Sequence, residues 1–94
     1  MTDDPMAPLR ARYVARTAAE MLELMTFVAE DRLDSDRARQ LIHGLAGSGA
    51  TFGFPAISDA AQPLDGIYAL GGIPTRDDMG PLLSALSASL TSEC

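Results

Sequence analysis

Apolar residues recur at helical spacing in four separate stretches of the chain, and nowhere do polar and apolar residues alternate over the length of a strand. In the first stretch Tyr13, Val14, Thr17, Ala18, Met21, Leu22, Met25 and Val28 keep helical spacing. They predict a long helix that opens near Pro8, a residue suited to a first turn, and runs to about Glu30. The first seven residues read as a disordered lead-in. Asp31 to Asp34 read as a connection, with Ser35 or Asp34 able to cap a second helix and Asp36 in its positive first turn. On that second helix Ala38, Leu41, Ile42, Leu45 and Phe52 fall on one side, and Gly53 ends it. Pro55 opens a third helix whose apolar positions, Ile57, Ala60, Ala61, Leu64, Ile67 and Tyr68, extend to about Leu70. Inside it Pro63 removes a backbone donor and crowds the carbonyl of Asp59, at a typical cost of about 3 kcal/mol, so a kink or a late start is expected there. Gly71-Gly72-Ile73-Pro74 breaks the chain again. Thr75 and Asp78 then resemble a capping box, and Met79, Leu82, Leu83, Leu86 and Leu90 form the apolar face of a fourth helix, whose regular start Pro81 delays to about Asp78. Four helices joined by short loops predict an all-α fold, an antiparallel up-down four-helix bundle. Residues 1–94 read as a single domain, without repeats.

Composition limits what such a bundle can do. With 94 residues, 47% of them hydrophobic and none tryptophan, there is enough for one modest core and no room for a deep substrate cavity. Met21 and Met25, which could suggest a soft peptide groove, sit at helical spacing and are assigned to packing. The formal net charge of −6 supplies no basic stripe for phosphate backbones, which excludes a nucleic-acid binder and favours a protein partner or a small ligand. A monomer is the default expectation. The single cysteine, Cys94, allows neither an intramolecular disulfide nor a cysteine-based zinc site and fits a reducing compartment. The acidic residues lack calcium-loop spacing, so no metal or other cofactor is expected in this chain. No stretch approaches the roughly 18 apolar residues of a membrane span, and Met1-Thr2-Asp3-Asp4-Pro5 is acidic where a signal peptide is basic. The expected location is cytoplasmic.

The candidate chemistry sits on the second helix. His43 is the chain's only histidine and the one side chain that can be a neutral nucleophile near pH 7. At about 100° per residue it points nearly opposite to the apolar side of its helix, among Arg39, Gln40, Ala46, Gly47 and Ala50. The ring therefore stands on a surface of mostly small side chains that another protein can approach. Gly44, Gly47 and Gly49 lie in the same predicted helix, where each costs roughly 1 kcal/mol against alanine, a pattern suited to close approach by a partner at Gly47 and by a neighbouring helix at Gly49. A Ser48–His43 hydrolytic dyad is disfavoured, because five residues apart on a helix the two side chains project on different faces.

The run His43-Gly44-Leu45-Ala46-Gly47-Ser48-Gly49-Ala50-Thr51-Phe52-Gly53-Phe54 resembles the signature of histidine phosphotransfer (HPt) domains, His-x-Leu/Ile-Lys-Gly-Ser/Gly-Ser/Ala-x-x-Phe/Leu-Gly, in a form similar to the phosphoacceptor domain of chemotaxis-type kinases. Ile57, Ala60, Ala61, Leu64 and Asp65 extend the match into the third helix, so the specific resemblance covers about a third of the chain. The resemblance implies a four-helix bundle in which His43 accepts a phosphoryl group from a receiver-domain phospho-aspartate, or from a kinase, and passes it to another receiver. Such a protein is a phosphohistidine carrier rather than a free-standing enzyme. The resemblance also places Asp65 where the family has a residue that hydrogen-bonds the second ring nitrogen, which would fix the tautomer and leave Nε2 free to attack. The implied partners are a response-regulator receiver domain, which brings its own Mg²⁺, and a hybrid histidine kinase.

One residue departs from the pattern. Ala46 stands where the family has a lysine that screens phosphoryl charge. Arg39, one turn before His43 on the same face, is the nearest replacement in this chain, and Gln62, one turn before Asp65, is a candidate for the edge of the site. Docking is expected over Gln40, Ala46, Gly47 and Ala50. Two other readings stand beside this one: a non-catalytic module that binds a receiver or kinase without phosphotransfer, and a detached kinase phosphoacceptor domain labelled by an ATP-using kinase.

Overall fold

The computed structural model describes residues 5–91. Four α-helices follow one another along the chain: α1 (Ala7–Ala29), α2 (Asp36–Ser48), α3 (Pro55–Ala69) and α4 (Gly80–Thr91), the last preceded by a single 3₁₀ turn over Asp77–Met79. Successive helices pack side by side and α4 returns onto α1, which closes the ring of a four-helix bundle. No strand occurs among the described residues.

Each boundary has a local cause. Pro8 sits in the first turn of α1, which already includes Ala7; residues 1–4 of the expected lead-in lie outside the described residues. At its other end Asp31 takes a left-handed backbone (φ 56°) and the Arg32 amide donates to the Phe27 carbonyl at 2.8 Å, which turns the chain out of the helix. Ser35 caps α2, its Oγ accepting from the Ala38 amide at 3.1 Å, with Asp36 in the first turn. Gly71 (φ 85°) closes α3 in the same manner as Asp31 closes α1, with the Gly72 amide on the Ile67 carbonyl at 2.9 Å. Thr75 and Asp78 make the reciprocal pair expected of a capping box: the Thr75 amide donates to Asp78 Oδ2 at 2.8 Å and the Asp78 amide to Thr75 Oγ1 at 3.1 Å.

Four expectations need correction. α2 stops at Ser48 rather than running to Gly53, because the chain beyond it drops onto the start of α3; the Phe54 amide donates to the Gly49 carbonyl at 2.7 Å. Phe52 therefore lies in the connecting loop, half-buried, its ring stacked on Tyr13 with centroids 4.6 Å apart. α3 runs unbroken through Pro63, with neither a late start nor an interruption; Pro63 and Asp59 are both exposed, so water can serve the carbonyl that the proline leaves without a donor. The fourth helix becomes α-helical only at Gly80, after the 3₁₀ turn. Met25, assigned to packing, is 48% exposed: the core side of α1 is set by Tyr13, Thr17 and Leu24, and Met25 lies off it.

The core gathers Leu24, Leu41, Ile42, Leu45, Ile57, Ala61, Leu64, Met79, Leu82 and Leu86 from all four helices. Tyr68, at the end of α3, donates its hydroxyl to the Leu33 carbonyl at 2.6 Å and ties that end of α3 to the α1–α2 connection. Thr17 is fully buried, and its hydroxyl has no hydrogen-bond partner among the described residues. Replacing a buried, unsatisfied hydroxyl by a methyl of the same shape removes a desolvation penalty. Thr17→Val is expected to stabilise the domain by about 1 kcal/mol, read as a rise in the urea midpoint without a change in slope.

Glu20 is half-buried between α1 and α2. Burial pushes its carboxyl above the usual range, and the nearby Arg16 and Arg37 offset this only in part. A raised folded value means that the folded state holds the proton more tightly than the unfolded chain, so the contribution favours folding below the ordinary carboxylate range and is lost as pH rises through the folded value. Glu20→Gln is thus expected to raise the melting temperature at pH 7 and to leave it unchanged at about pH 4. Solvent screening keeps the gain below about 0.5 kcal/mol.

Candidate functional site

Ala38, Leu41, Ile42 and Leu45 commit one side of α2 to the core, and that commitment turns His43 outward; its side chain is 76% exposed. On the facing helix, Ile57, Ala61, Leu64 and Tyr68 are buried in the same way, which leaves Asp65 on the edge of α3 beside α2. The two side chains meet across the helix pair, with His43 Nδ1 3.1 Å from Asp65 Oδ1 and 3.3 Å from Oδ2. An ionised carboxylate only accepts, so the hydrogen bond assigns the ring proton to Nδ1 and leaves the Nε2 lone pair directed away from the protein.

Around the ring lies an open groove lined by Asp36, Arg39, Gln40, His43, Asp65 and Ala69. Arg39 is the only cation among those residues. Gln40 lines the same groove, whereas Gln62 is exposed on α3 and does not line it. Sequence reasoning missed Asp36 and Ala69, although the signal was present: Asp36 lies two turns before His43 and Ala69 one turn after Asp65. Of the expected docking residues, Gly47 is exposed, and a Cβ built on it would meet nothing within 4 Å. Ala46 is half-buried against the core. Ala50 lies beyond the end of α2, exposed, its amide held by Ser58 Oγ at 2.8 Å.

The remaining glycines of the run differ in kind. Gly44 has open space where a side chain would be, as Gly47 does. Gly49 caps α2, and a Cβ there would lie 2.8 Å from both the Phe54 carbonyl oxygen and the Ser58 amide nitrogen. The absent side chain is what lets the end of α2 touch the first turn of α3, the helix that carries Asp65. Ser58, buried and also missed from sequence, fastens this contact. Ser48 points to α1, its Oγ 3.0 Å from the Tyr13 hydroxyl, and takes no part in the His43 groove. No three His, Cys, Asp or Glu side chains gather as a metal site among the described residues, and none of the described helices is long and apolar enough to cross a membrane.

An exposed imidazole held by a carboxylate on the side of a helical bundle is the construction of a carrier module, which offers a reactive nitrogen to a partner rather than enclosing a substrate. The family model for the Hpt domain matches residues 9–92, and the chain belongs to that family. Hpt domains are phosphocarrier modules that work with kinases and receiver domains in phosphorelay signalling. No curated protein and no solved structure matches the chain significantly.

Proposed function

We propose that this protein is a cytoplasmic phosphorelay intermediate in which His43 Nε2 accepts a phosphoryl group from the phospho-aspartate of a receiver domain, or from a hybrid histidine kinase, and passes it to a second receiver. The observation that carries this reading is the pairing of an exposed His43 with Asp65 at 3.1 Å through Nδ1. The Nε2 lone pair attacks phosphorus, the P–O bond to the aspartyl oxygen breaks, and the aspartate leaves with the electron pair as a carboxylate. The Nδ1 proton stays on the ring, where Asp65 holds it against the positive charge that the imidazole gains. Receiver domains bring a Mg²⁺ ion that supplies charge neutralisation on their side of the encounter. On this side the chain contains no lysine, its seven basic residues all being arginines. Arg39 is the cation of the groove and is assigned the role of meeting phosphoryl charge.

The second reading, a non-catalytic module that binds a receiver or kinase without taking phosphate, draws on Ala46 at the position where the family signature has lysine. One experiment separates the two. The full chain is incubated with a phosphorylated receiver, and the products are tested for an acid-labile, base-stable label. Label on this chain that a second receiver then removes is the expected result; stable binding of the receiver with no label establishes the module reading instead. Asp65→Ala is expected to slow labelling by roughly ten- to a hundredfold, because the ring loses its fixed orientation, with little change in melting temperature at so open a position.

A further inference from the structure

We infer that the outer face of α1 is the interface of a weak antiparallel homodimer, the second copy of this chain packing its own α1 against it. Residues Ala11, Ala15, Ala18, Leu22, Met25 and Ala29 follow one another at spacings of four, three, four, three and four, the repeat of a two-helix seam. This seam is separate from the buried one, which runs through Tyr13, Thr17 and Leu24. Leu22 is 61% and Met25 48% exposed, Ala11, Ala15 and Ala29 are exposed beside them and Ala18 is half-buried, so the seam is apolar and largely uncovered among the described residues. α1 is also much the longest helix, about 34 Å at 1.5 Å per residue, and can present several turns to a partner.

Size and charge both select a second copy in antiparallel orientation. With two copies antiparallel, the layers of the seam pair Ala18 with Leu22 of the second copy, Ala15 with its Met25 and Ala11 with its Ala29. Each large side chain then faces a small one, which lets the helices approach closely. The flank of the seam carries Arg12, Arg16, Glu23 and Glu30, basic in the first half of α1 and acidic at its end. In an antiparallel pair a flank faces the same flank of its partner, so Arg12 meets Glu30 of the second copy, and Arg16 lies near its Glu23. A parallel pair would instead set this charged flank against the opposite, apolar flank of its partner, Val14, Met21 and Val28, and leave the charges without partners across the interface. Arg16 and Glu30 also make long ion pairs within their own chain, to Glu20 and Arg32, that are weak enough to be shared, whereas Arg37 holds Glu23 through two 2.9 Å hydrogen bonds, so the Arg12–Glu30 pair carries the electrostatic part of the interface. A single helix pair buries on the order of 1,000 Å² in total, so association is expected in the micromolar range or weaker. His43 projects from a groove of α2 and α3 whose lining includes no residue of α1, and is left accessible.

The test is sedimentation of the full chain from roughly 10 μM to 1 mM, with the fold of every variant checked by thermal melting. A monomer–dimer equilibrium is expected, its dissociation constant raised about tenfold or more by Leu22→Asp, with Met25→Gln as a milder second probe. Arg12→Glu and Glu30→Arg are each expected to weaken the dimer, and the double variant Arg12→Glu/Glu30→Arg to restore it, since only an antiparallel pair brings the two exchanged charges together. A wild-type chain that stays monomeric at the highest concentration, a Leu22→Asp variant that associates as wild type does, or a double variant that stays weak overturns the inference. Labelling of His43 is expected to be unchanged in all of these variants, so the outcome is independent of the phosphotransfer reading.

Discussion

His43→Gln is expected to abolish labelling by a phosphorylated receiver, with no residual acid-labile phosphate on the chain. His43 is the only histidine and the chain has no lysine, so no other imidazole or amine side chain can take over the P–N bond. The side chain is 76% exposed, and Asp65, its one hydrogen-bonding partner among the described residues, is itself partly solvated. Removing the ring should therefore shift stability by no more than about 0.5 kcal/mol. The measurement is a pair: label on the chain by acid and base stability, and a melt of the same preparation. Full labelling of a folded His43→Gln chain would refute the assignment of His43. A glutamine in this place keeps the size of the site, so receiver docking should persist while transfer is lost, which separates chemistry from recognition.

The second large effect is expected at Gly49. A β-carbon there would lie 2.8 Å from the Phe54 carbonyl oxygen and the Ser58 amide nitrogen, and both are backbone atoms that no rotamer change can move aside. Gly49→Val must either push α3 away from α2 or distort the last turn of α2, and each route strains the Ala50–Ser58 and Phe54–Gly49 hydrogen bonds. A cost of about 3 kcal/mol is expected, which for a domain of this size lowers the melting temperature by more than about 10 °C. Gly44 is the contrast. It lies within α2 with open space in place of a side chain, so Gly44→Ala should stabilise by about 0.5–1 kcal/mol. Equal responses at the two glycines would contradict the close approach of α2 to α3. Phosphotransfer by Gly49→Val should fall further than its unfolded fraction explains, because pushing α3 away from α2 would lengthen the reach from His43 on α2 to Asp65 on α3.

Both predictions turn on residues whose roles differed in how far they could be read from the chain. That His43 faces outward follows from local periodicity alone, since the buried positions at Ala38, Leu41, Ile42 and Leu45 leave it no other direction. The capping pair of Thr75 and Asp78 and the Ser35 cap were legible for the same reason: their partners lie three residues away. Asp65 was reached through the family signature and not through spacing, because two residues 22 apart are brought together by the packing of two helices. The end of α2 was misplaced because the signal that stops it is tertiary. The run from Gly49 to Phe52 has acceptable helical spacing, but the chain gains more by docking Gly49 onto α3 and stacking Phe52 on Tyr13. Met25 was misplaced for a related reason. α1 carries apolar residues around much of its circumference, and periodicity cannot say which of two overlapping seams the bundle will bury.

The sequence by itself determined four helices, most of their caps and the outward direction of the one histidine, because these depend on interactions within a turn or two of chain. Tertiary structure alone decided three things: that Asp65 stands 3.1 Å from Nδ1 and assigns its proton, that Arg39 is the groove's cation while Gln62 lies outside it, and that Leu22 and Met25 remain uncovered. The physical reason is common to all three. Each depends on the distance and rotation between two helices, and those are set by core packing summed over many residues, a quantity that no local pattern carries.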